Sequence, residues 1–514
     1  MRVSYVYTAI CLFGVMSLTL SFYFISIVGY TSVRLTNADD INMNNNNSFK
    51  MLQRVQDALE QEHSPIINFD ESLVSRAIQA GNSIRLKNVL GKALRGKDIN
   101  LLVIGGSNSA GGKLGLDENS LDGIYFKVFA KWWNNSFGKA IKSFVKVIPL
   151  TIGSTGSPFF AFSSCYKTFI AQGEKIDVVL IEISPNDCRF RTAKHLEQLT
   201  RQVLEYASAP ALLYINLVAN LGLGPNNKDK PFNPTCKNLE NFGQTELARH
   251  YEITSFSLKE IFCRKDEKGQ WKIIVTNMAG SDGNHIGLRA HALVASLMIK
   301  HVRSVTKELI NDVNNAADQL TERNERSTLP KFLLIERKTE ALKEPLCWTG
   351  KTPNTFKNRH HPNLQLEVIN NRGFSSCFQV RGEGLNVKNV SKELRFDSQG
   401  GWCASNGSST LHLKIFVPII PVDSFPRLRS IIVLSRFYSE GKAVIWLDNN
   451  KDKAIETDSN WVSDRYDTIA TRVNPGYHTI TIRTLQDGVF MVSGVLVGPP
   501  DFRFGTDALH CHQD

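Results

Sequence analysis

A serine stands in a run of small residues at 105–111 (GGSNSAG), directly after the apolar segment 100–104 (NLLVI). Small residues let the chain turn sharply, which would expose the hydroxyl of Ser107 and free the neighbouring backbone N–H groups to bind an oxyanion. A phosphate-cradling loop or a plain strand-to-helix turn would also use such a run. The run lacks G-x-G-x-x-G and the P-loop Gly-Lys-Ser/Thr, which argues against nucleotide binding. Ser107 is therefore a candidate nucleophile.

An asparagine follows a second apolar run. Asn186 lies in 184–187 (SPND), directly after 177–183 (DVVLIEI). Its side-chain amide could donate a hydrogen bond to the negative charge that develops on a carbonyl oxygen. An Asn-Asp pair after a strand also serves as a turn or a helix cap, and that alternative stays open.

A histidine near the end of the same region has a carboxylate three residues ahead of it. The segment 282–285 (DGNH) precedes an apolar helical pattern. Asp282 could hold one ring nitrogen of His285 while the other nitrogen takes a proton from a serine. A D-x-x-H pattern is common and often structural, so its position in the chain gives it weight.

The elements that must position these residues alternate along the chain. Short apolar runs at 100–104, 145–150, 177–183 and 211–218 are separated by helical stretches. This alternation predicts βαβ units and a three-layer α/β domain with a mostly parallel sheet, at about residues 71–310. In open α/β sheets ligands bind at the carboxyl ends of the strands, where Ser107 and Asn186 are expected.

The character of the chain changes after residue 345. Residues 311–345 are charged and predict a helical connector, and 346–514 contain short β-rich segments separated by turn residues. Such a pattern predicts a C-terminal all-β sandwich. Tryptophans in this part could stack on sugar rings, although packing in the core is the usual role of tryptophan in a sandwich. They are Trp348, Trp402, Trp446 and Trp461.

The order of these motifs resembles the four blocks of the SGNH (GDSL-like) hydrolase and acyltransferase superfamily. Ser107, the glycine-rich turn 153–157, Asn186 and the pair Asp282-x-x-His285 follow one another as those blocks do. The segment 85–112 also resembles the opening of a eukaryotic membrane-anchored subgroup that includes fungal capsule-associated proteins. The resemblance covers about residues 75–305 and implies an SGNH-like, flavodoxin-like fold.

The resemblance implies a role for each matched residue. Ser107 resembles the nucleophile, His285 its general base and Asp282 the residue that orients His285. The N–H of Ser107, the amide of Asn186 and a glycine of the second block, Gly153 or else Gly156, would form the oxyanion hole. The first block reads Gly-Gly-Ser where Gly-Asp-Ser is usual, and Ser184 stands where the third block often has glycine.

These roles imply a serine-dependent ester hydrolase or O-acyl(acetyl)transferase that acts on acylated glycans or other esters, in the secretory pathway or at the cell surface. Both reactions pass through an acyl-enzyme, and the sequence does not choose between them. A catalytically inactive glycan-binding or adhesion protein on the same scaffold is the alternative. No cofactor and no metal ion are expected. Residues 510–512 (HCH) could bind a metal, but a tail with one disulfide cysteine is the simpler interpretation.

The N-terminal segment is apolar. No charged residue occurs between Arg2 and Arg34, and the core of the stretch, 5–30, is long enough to cross a hydrocarbon layer of roughly 30 Å. We therefore predict a short cytoplasmic end and signal anchor over 1–35, a stalk and helix over 36–70, and a type II single-pass membrane protein. A cleavable signal peptide is the alternative, although the stretch is longer than usual and shows no clear A-x-A site.

Cysteines and glycosylation sequons agree with a lumenal or extracellular body. Of nine cysteines, all but Cys11 follow the apolar segment, and an even number there predicts disulfides without fixing their pairing. Four N-x-S sequons are candidate glycosylation sites. They are at Asn46, Asn134, Asn389 and Asn406.

The net charge of +11 does not indicate a nucleic-acid partner. Lysines and arginines are scattered and no aromatic-basic RNA-binding signature is present. The expected partners are an acylated glycan or other ester substrate and, through the N-terminal helix, a membrane. The oligomeric state is left open.

Overall fold

The computed structural model describes most of the chain beyond residue 44. The described residues are 45–61, 71–112, 114, 121–162, 165–171, 173–187, 193–217, 243–265, 267–269, 271–273, 278, 280, 285–315, 329–335, 346–350, 364–379, 385–386, 399–419, 428–437, 439–458 and 465–498.

The described helices belong mainly to the first part of the chain. They are α1 (Asn45–Gln61), α2 (Glu71–Ala77), α3 (Ile84–Leu94), α4 (Tyr125–Trp133), α5 (Lys139–Ile141), α6 (Ser157–Phe162), α7 (Ser184–Asp187), α8 (Lys194–Leu204), α9 (Gln244–His250), α10 (Lys259–Phe262) and α11 (Leu288–Asn315), with a π-helical turn at Asn134–Gly138 and 3-10 turns at Cys165–Phe169 and Lys451–Lys453.

Six strands form the sheet of the α/β domain. They are β1 (Ile78–Gln79), β2 (Ile99–Gly105), β3 (Val145–Thr151), β4 (Val178–Glu182), β5 (Ala211–Asn216) and β6 (Thr254–Ser257). Their order is β1-β6-β5-β4-β2-β3, and every pair except β1–β6 is parallel. The central strands β4 and β5 are buried along their whole length, as continuous apolar runs in a parallel sheet should be. The predicted mostly parallel α/β sheet is confirmed, and the three-layer arrangement stays a prediction.

The C-terminal strands form the predicted antiparallel β-sandwich, after a small hairpin of β7 (Cys263–Lys265) and β8 (Trp271–Ile273). They are β9 (Cys347–Thr349), β10 (Leu366–Arg372), β11 (Ser375–Gln379), β12 (Leu385–Asn386), β13 (Gln399–Ala404), β14 (Thr410–Val417), β15 (Arg429–Phe437), β16 (Lys442–Leu447), β17 (Ile455–Asp458), β18 (Arg465–Val473), β19 (Gly476–Thr484) and β20 (Phe490–Gly498). One sheet has the order β10-β14-β19-β16-β17, and the other has β12-β11-β13-β20-β15-β18 with β9 on β20. Along β14, buried residues alternate with half-buried ones, because only one face of that sheet meets the core.

Strand β20 joins the sandwich to the α/β domain. All nine of its residues are buried, since Val492, Val495 and Val497 pack in the sandwich core while Leu496 belongs to the core cluster of the α/β domain. The ring of Phe162, at the end of α6, lies so close to Gly498 that a methyl group on that glycine would come within 2.5 Å of it. The two domains therefore share a continuous apolar contact.

A disulfide bond also connects the two domains. Cys165 is bonded to Cys347, so the segment after α6 is tied covalently to β9. Cys377 and Cys403 are bonded across β11 and β13, and Cys263 is also in a disulfide. The prediction of disulfide bonds is confirmed.

The segment 329–335, within the predicted connector, lies on the α/β domain without forming a helix. The buried carboxylate of Glu197 accepts hydrogen bonds from the N–H groups of Leu333, Leu334 and Ile335 at 2.6–3.0 Å. The guanidinium of Arg201 stacks on Phe332 at 3.9 Å. These contacts fix the path of the chain between the two domains, while the predicted domain limits stay predictions.

The predicted localisation as a single-pass membrane protein is contradicted. None of the described helices is both long enough and apolar enough to cross a bilayer. The longest, α11, carries charged and polar residues throughout its length, so it is a helix of the folded domain. The segment 5–30 on which the prediction was based lies outside the described residues.

Candidate active site

Ser107 and His285 meet at the carboxyl end of the parallel sheet. The Oγ atom of Ser107 lies 2.8 Å from Nε2 of His285, although the two residues are 178 positions apart. Ser107 follows the end of β2 by two residues and His285 precedes α11 by three. Both side chains are half-buried, so they remain accessible from solvent. The structure thus brings the predicted nucleophile and base within hydrogen-bonding distance.

The small residues of the serine loop make this approach possible. The N–H of Gly112 donates to the carbonyl of Ser107 at 2.7 Å, and the N–H of Ala110 donates to Gly106 at 3.0 Å. A Cβ atom on Gly112 would lie 2.5 Å from the ring of His285. Glycine is therefore required at 112 because the imidazole occupies the space that a side chain would take.

Asn108 holds the histidine segment against the serine loop. Its Oδ1 atom accepts a hydrogen bond from the N–H of Ile286 at 2.9 Å, and the Asn108 side chain is buried. The carbonyl of His285 also accepts from the N–H of Gly280 at 2.6 Å. Asn108 was not among the site residues predicted from the sequence. Its only signal is its place next to Ser107, since its partner is 178 residues away.

Asp282 lies outside the described residues, so its role in orienting His285 stays a prediction.

Asn186 lies beside the serine loop. Its amide nitrogen donates to the carbonyl of Thr155 at 2.9 Å and stands directly against Gly106, where a Cβ atom would collide with it. An amide NH₂ has two hydrogens, so one remains for an oxyanion formed on a substrate bound to Ser107. The buried position of Asn186, held by Thr155, suits a pre-organised donor.

The glycine-rich turn 153–157, here called the second-block loop, contains both candidate oxyanion glycines. The carbonyl of Gly153 accepts from the hydroxyl of Thr155 at 3.0 Å, and the carbonyl of Gly156 accepts from the N–H of Phe159 at 3.2 Å. Ser154 between them has a positive φ of 56°. Which glycine N–H faces the oxyanion stays a prediction.

Asp187 ties this loop to the short helix α7, which also contains Asn186. Its Oδ1 atom accepts from the N–H of Ser157 at 2.7 Å. Burial raises the pKa of Asp187 to about 7, against the opposing effect of the hydrogen bonds from Ser157. The side chain lies inside the domain, so its contribution is to hold the loops at the ends of β3 and β4 together.

Glu182, the last residue of β4, was also missed by the sequence analysis. Its carboxylate is fully buried and accepts hydrogen bonds from Ser109 in the serine loop. Burial raises the pKa of Glu182 to about 7, while the hydrogen bonds from Ser109 and Gly106 oppose that shift. A glutamate that ends an otherwise apolar buried run is a signal that the sequence did contain.

The described residues contain no cluster of three or more His, Cys, Asp or Glu side chains that could hold a metal ion. Residues 510–512 lie outside them. The contact between Ser107 and His285 is suited to proton transfer and nucleophilic attack by these side chains.

The other described candidate residues make contacts elsewhere in the chain. Trp348 and Trp402 stack on each other at 4.1 Å and pack against the sandwich core, while Trp446 is half-buried. Asn406 is exposed, whereas Oδ1 of Asn134 accepts a hydrogen bond from the N–H of Val145 at 2.8 Å. The side chain of Asn46 and the residues Asn389 and Trp461 are outside the described part of the chain.

The fold is similar to that of solved esterase structures. A crystal structure of a two-domain esterase (CEX) active on acetylated mannans, co-crystallised with mannopentaose, matches with a TM-score of 0.53 and 19% identity, covering 84% of this chain and 99% of that chain. A second structure of a two-domain esterase (CEX) active on acetylated mannans matches with a TM-score of 0.50, also at 19% identity and with the same coverage. This likeness shows a shared two-domain fold. No protein-family model and no curated protein matches the sequence.

Proposed function

We propose that this protein is an SGNH-type serine esterase that removes acyl groups, acetyl in particular, from glycans. The observation that carries the proposal is the 2.8 Å contact between Oγ of Ser107 and Nε2 of His285 at the carboxyl edge of the sheet. A serine hydroxyl is a weak nucleophile at neutral pH, and an adjacent imidazole is the usual means of activating it.

The reaction follows from this geometry. Ser107 Oγ attacks the carbonyl carbon of the ester while its proton passes to Nε2 of His285. The negative charge on the carbonyl oxygen is stabilised by the N–H of Ser107 and the free amide hydrogen of Asn186. The intermediate collapses, the sugar oxygen leaves with the proton from His285, and an acyl-serine remains. Water, activated by the same imidazole, then releases the acid.

The substrate class is supported by the structural comparison. The two-domain esterase that shares this fold is active on acetylated mannans. Transfer of the acyl group to a sugar hydroxyl would use the same acyl-enzyme, with that hydroxyl in place of water. We favour hydrolysis because the protein whose fold it shares is an esterase.

The test is covalent labelling of the full-length protein with a fluorophosphonate. Wild-type protein should label, and Ser107→Ala and His285→Ala should not, because the first removes the nucleophile and the second its base. Ser208→Ala and His412→Ala are matched controls, since these residues bond elsewhere in the α/β domain and the sandwich. Folded wild-type protein that does not label would refute the proposal and favour a binding protein on the same scaffold.

Labelling would be followed by substrate assays. Acetate release should be measured from acetylated mannan, acetylated xylan and a simple aryl acetate, each with and without a free sugar acceptor. Release from acetylated glycans that is lost in Ser107→Ala would support the proposed class. Activity confined to the aryl ester would refute the glycan assignment while leaving the activated serine intact.

A further inference from the structure

A buried carboxylate lies directly beneath the serine loop. Oε2 of Glu182 accepts two hydrogen bonds from Ser109, one from its hydroxyl at 2.6 Å and one from its N–H at 3.2 Å. Glu182 is fully buried, and its other oxygen has no hydrogen-bond partner among the described residues. A carboxylate in this position is costly to bury, which calls for an explanation of why it is there.

Glu182 holds the serine loop on both sides of the nucleophile. Its backbone carbonyl accepts from the N–H of Gly106 at 3.0 Å, and its side chain binds Ser109. A Cβ atom on Gly105 would lie 3.3 Å from the carboxylate and 2.5 Å from the hydroxyl of Ser109, so backbone, hydroxyl and carboxylate are packed together. Ser107 therefore stands between two positions that are fixed by the same residue.

Ser109 also connects Glu182, through Tyr125, with α11, the helix that follows His285. The hydroxyls of Ser109 and Tyr125 are 2.8 Å apart. Because Ser109 has one hydroxyl proton, which it donates to Glu182, Tyr125 is the donor in this pair. The Tyr125 ring stacks on His291 of α11 with 8° between the planes and 6.0 Å between the centroids. A series of buried contacts thus connects Glu182, beneath Ser107, with the helix that follows His285.

We propose that Glu182 is a positioning residue for the Ser107 nucleophile, acting through Ser109. The inference rests on the proposed function and adds a residue that does not touch the substrate. The hydrogen bonds to Ser109 hold the serine loop in one conformation, so that Ser107 Oγ stays within reach of His285. The buried environment strengthens these bonds, since water does not compete for the same groups.

The test compares variants of nearly equal size. Glu182→Met keeps the volume and removes the acceptor, and Glu182→Gln keeps an acceptor oxygen for the Ser109 hydroxyl. In Glu182→Met we expect kcat and the rate of fluorophosphonate labelling to fall about 10²-fold with KM unchanged, because misplacing a reacting group by about 1 Å has an effect of this size. Glu182→Gln should recover most of that loss.

A double-mutant cycle separates positioning from a general loss of stability. Ser109→Ala should lower the same rates by a similar factor, and the double variant Glu182→Met/Ser109→Ala should lose little more than either single variant. Independent, multiplying losses would overturn the inference. Thermal unfolding establishes that each variant is folded, and if Glu182→Met does not fold, Ser109→Ala and Glu182→Gln carry the comparison.

Failure of the inference can be told from failure of the proposed function. If wild-type protein labels and Glu182→Met labels at the same rate, the positioning role is wrong and the esterase proposal stands. If wild-type protein does not label, the esterase proposal fails. Amide hydrogen exchange in peptide 105–112 then tests the remaining claim, since Glu182→Met should raise exchange there and unchanged exchange would refute it.

Discussion

The carboxyl edge of the parallel sheet and the interior of the β-sandwich bury different kinds of residue. The sandwich core cluster consists of apolar side chains, and its buried carboxylate among the described residues, Asp467, is paired with Arg465 at 2.7 Å. At the sheet edge, Glu182 and Asp187 are buried without an ion pair to any described residue, and burial raises the pKa of each to about 7. Burial also raises the pKa of Asp467, but the charge of Arg465 opposes that shift, whereas at Glu182 and Asp187 only hydrogen bonds from the neighbouring loops oppose it.

This difference indicates that the two domains are stabilised for different purposes. An apolar core stabilises a fold without specifying the position of any polar atom. Buried hydrogen bonds from Ser109 and Ser157, by contrast, fix the loops that carry the candidate catalytic groups. The sandwich contributes through its joint with α6, the helix that directly follows the second-block loop.

The largest expected effect is at that joint. Phe162→Ala removes a fully buried ring that lies against Gly498, and we expect the free energy of unfolding to fall by about 3–5 kcal/mol. Urea denaturation of the full-length protein measures this. Phe416→Ala, at a half-buried ring on the outer face of the sandwich, is the matched control and should cost clearly less. Equal losses would mean that the joint is no more important than the surface.

The next effect is on activity at the sheet edge. Asn186→Ala removes the proposed oxyanion donor, and kcat on an acetyl ester should fall about 10²–10³-fold. The free energy of unfolding should change by only about 1 kcal/mol, because one hydrogen bond, to Thr155, is lost. Asn216→Ala is the control, since Asn216 is a buried asparagine at the end of the neighbouring strand β5. A similar loss of kcat in both variants would contradict the assigned role of Asn186.

The sequence was sufficient to find the residues that meet at this edge. Ser107 and Asn186 directly follow apolar runs, and parallel strands bring their carboxyl ends together, so local patterns and one rule of topology place them. His285 could be found only through the order of the motifs. The antiparallel sandwich followed from short β-rich segments without intervening helices.

The supporting contacts could not be found in this way. Ser109 meets Glu182 across 73 residues, and Asn108 meets Ile286 across 178, so no local pattern contains either pair. Eight cysteines allow on the order of a hundred complete sets of disulfides, and no local pattern indicates that Cys165 bonds to Cys347. Such contacts depend on how the loops at the sheet edge pack in three dimensions, and the sequence shows only that polar residues are present.

A third prediction concerns the dependence of stability on pH. Burial raises the pKa of Glu182 from 4.5 to about 7, so the folded state binds this proton more tightly than the unfolded state. The contribution of Glu182 to stability is thus fully present below about pH 4.5 and is lost as the pH rises through 7. Relative to wild type, Glu182→Gln should become more stable between pH 5 and 8, by at most about 1.4 kcal/mol per pH unit. Urea denaturation at several pH values tests this.

His291 provides a control of opposite sign for that experiment. Burial, together with a smaller effect of the nearby His285, lowers the pKa of His291 from 6.5 to about 3. Its contribution to stability is present above about pH 6.5 and is lost as the pH falls. His291→Gln should therefore gain on wild type as the pH is lowered from 6.5 to 4. If both variants changed in the same direction, the assignment of these buried groups would be wrong.

The smallest effect is expected at the surface, where the two domains should not differ. Lys442 and Glu456 form an ion pair at 3.1 Å across β16 and β17, and both side chains are about half exposed. Lys442→Ala should lower the free energy of unfolding by less than about 1 kcal/mol, because water and salt screen such a pair. Lys146→Ala, which removes the contact with Glu174 in the α/β domain, is the matched variant and should behave alike. Both pairs lie outside the core, and unfolding should be measured in low and in high salt. A loss above about 2 kcal/mol in one variant but not in the other would show that the two domains also differ in how much their surface ion pairs contribute to stability.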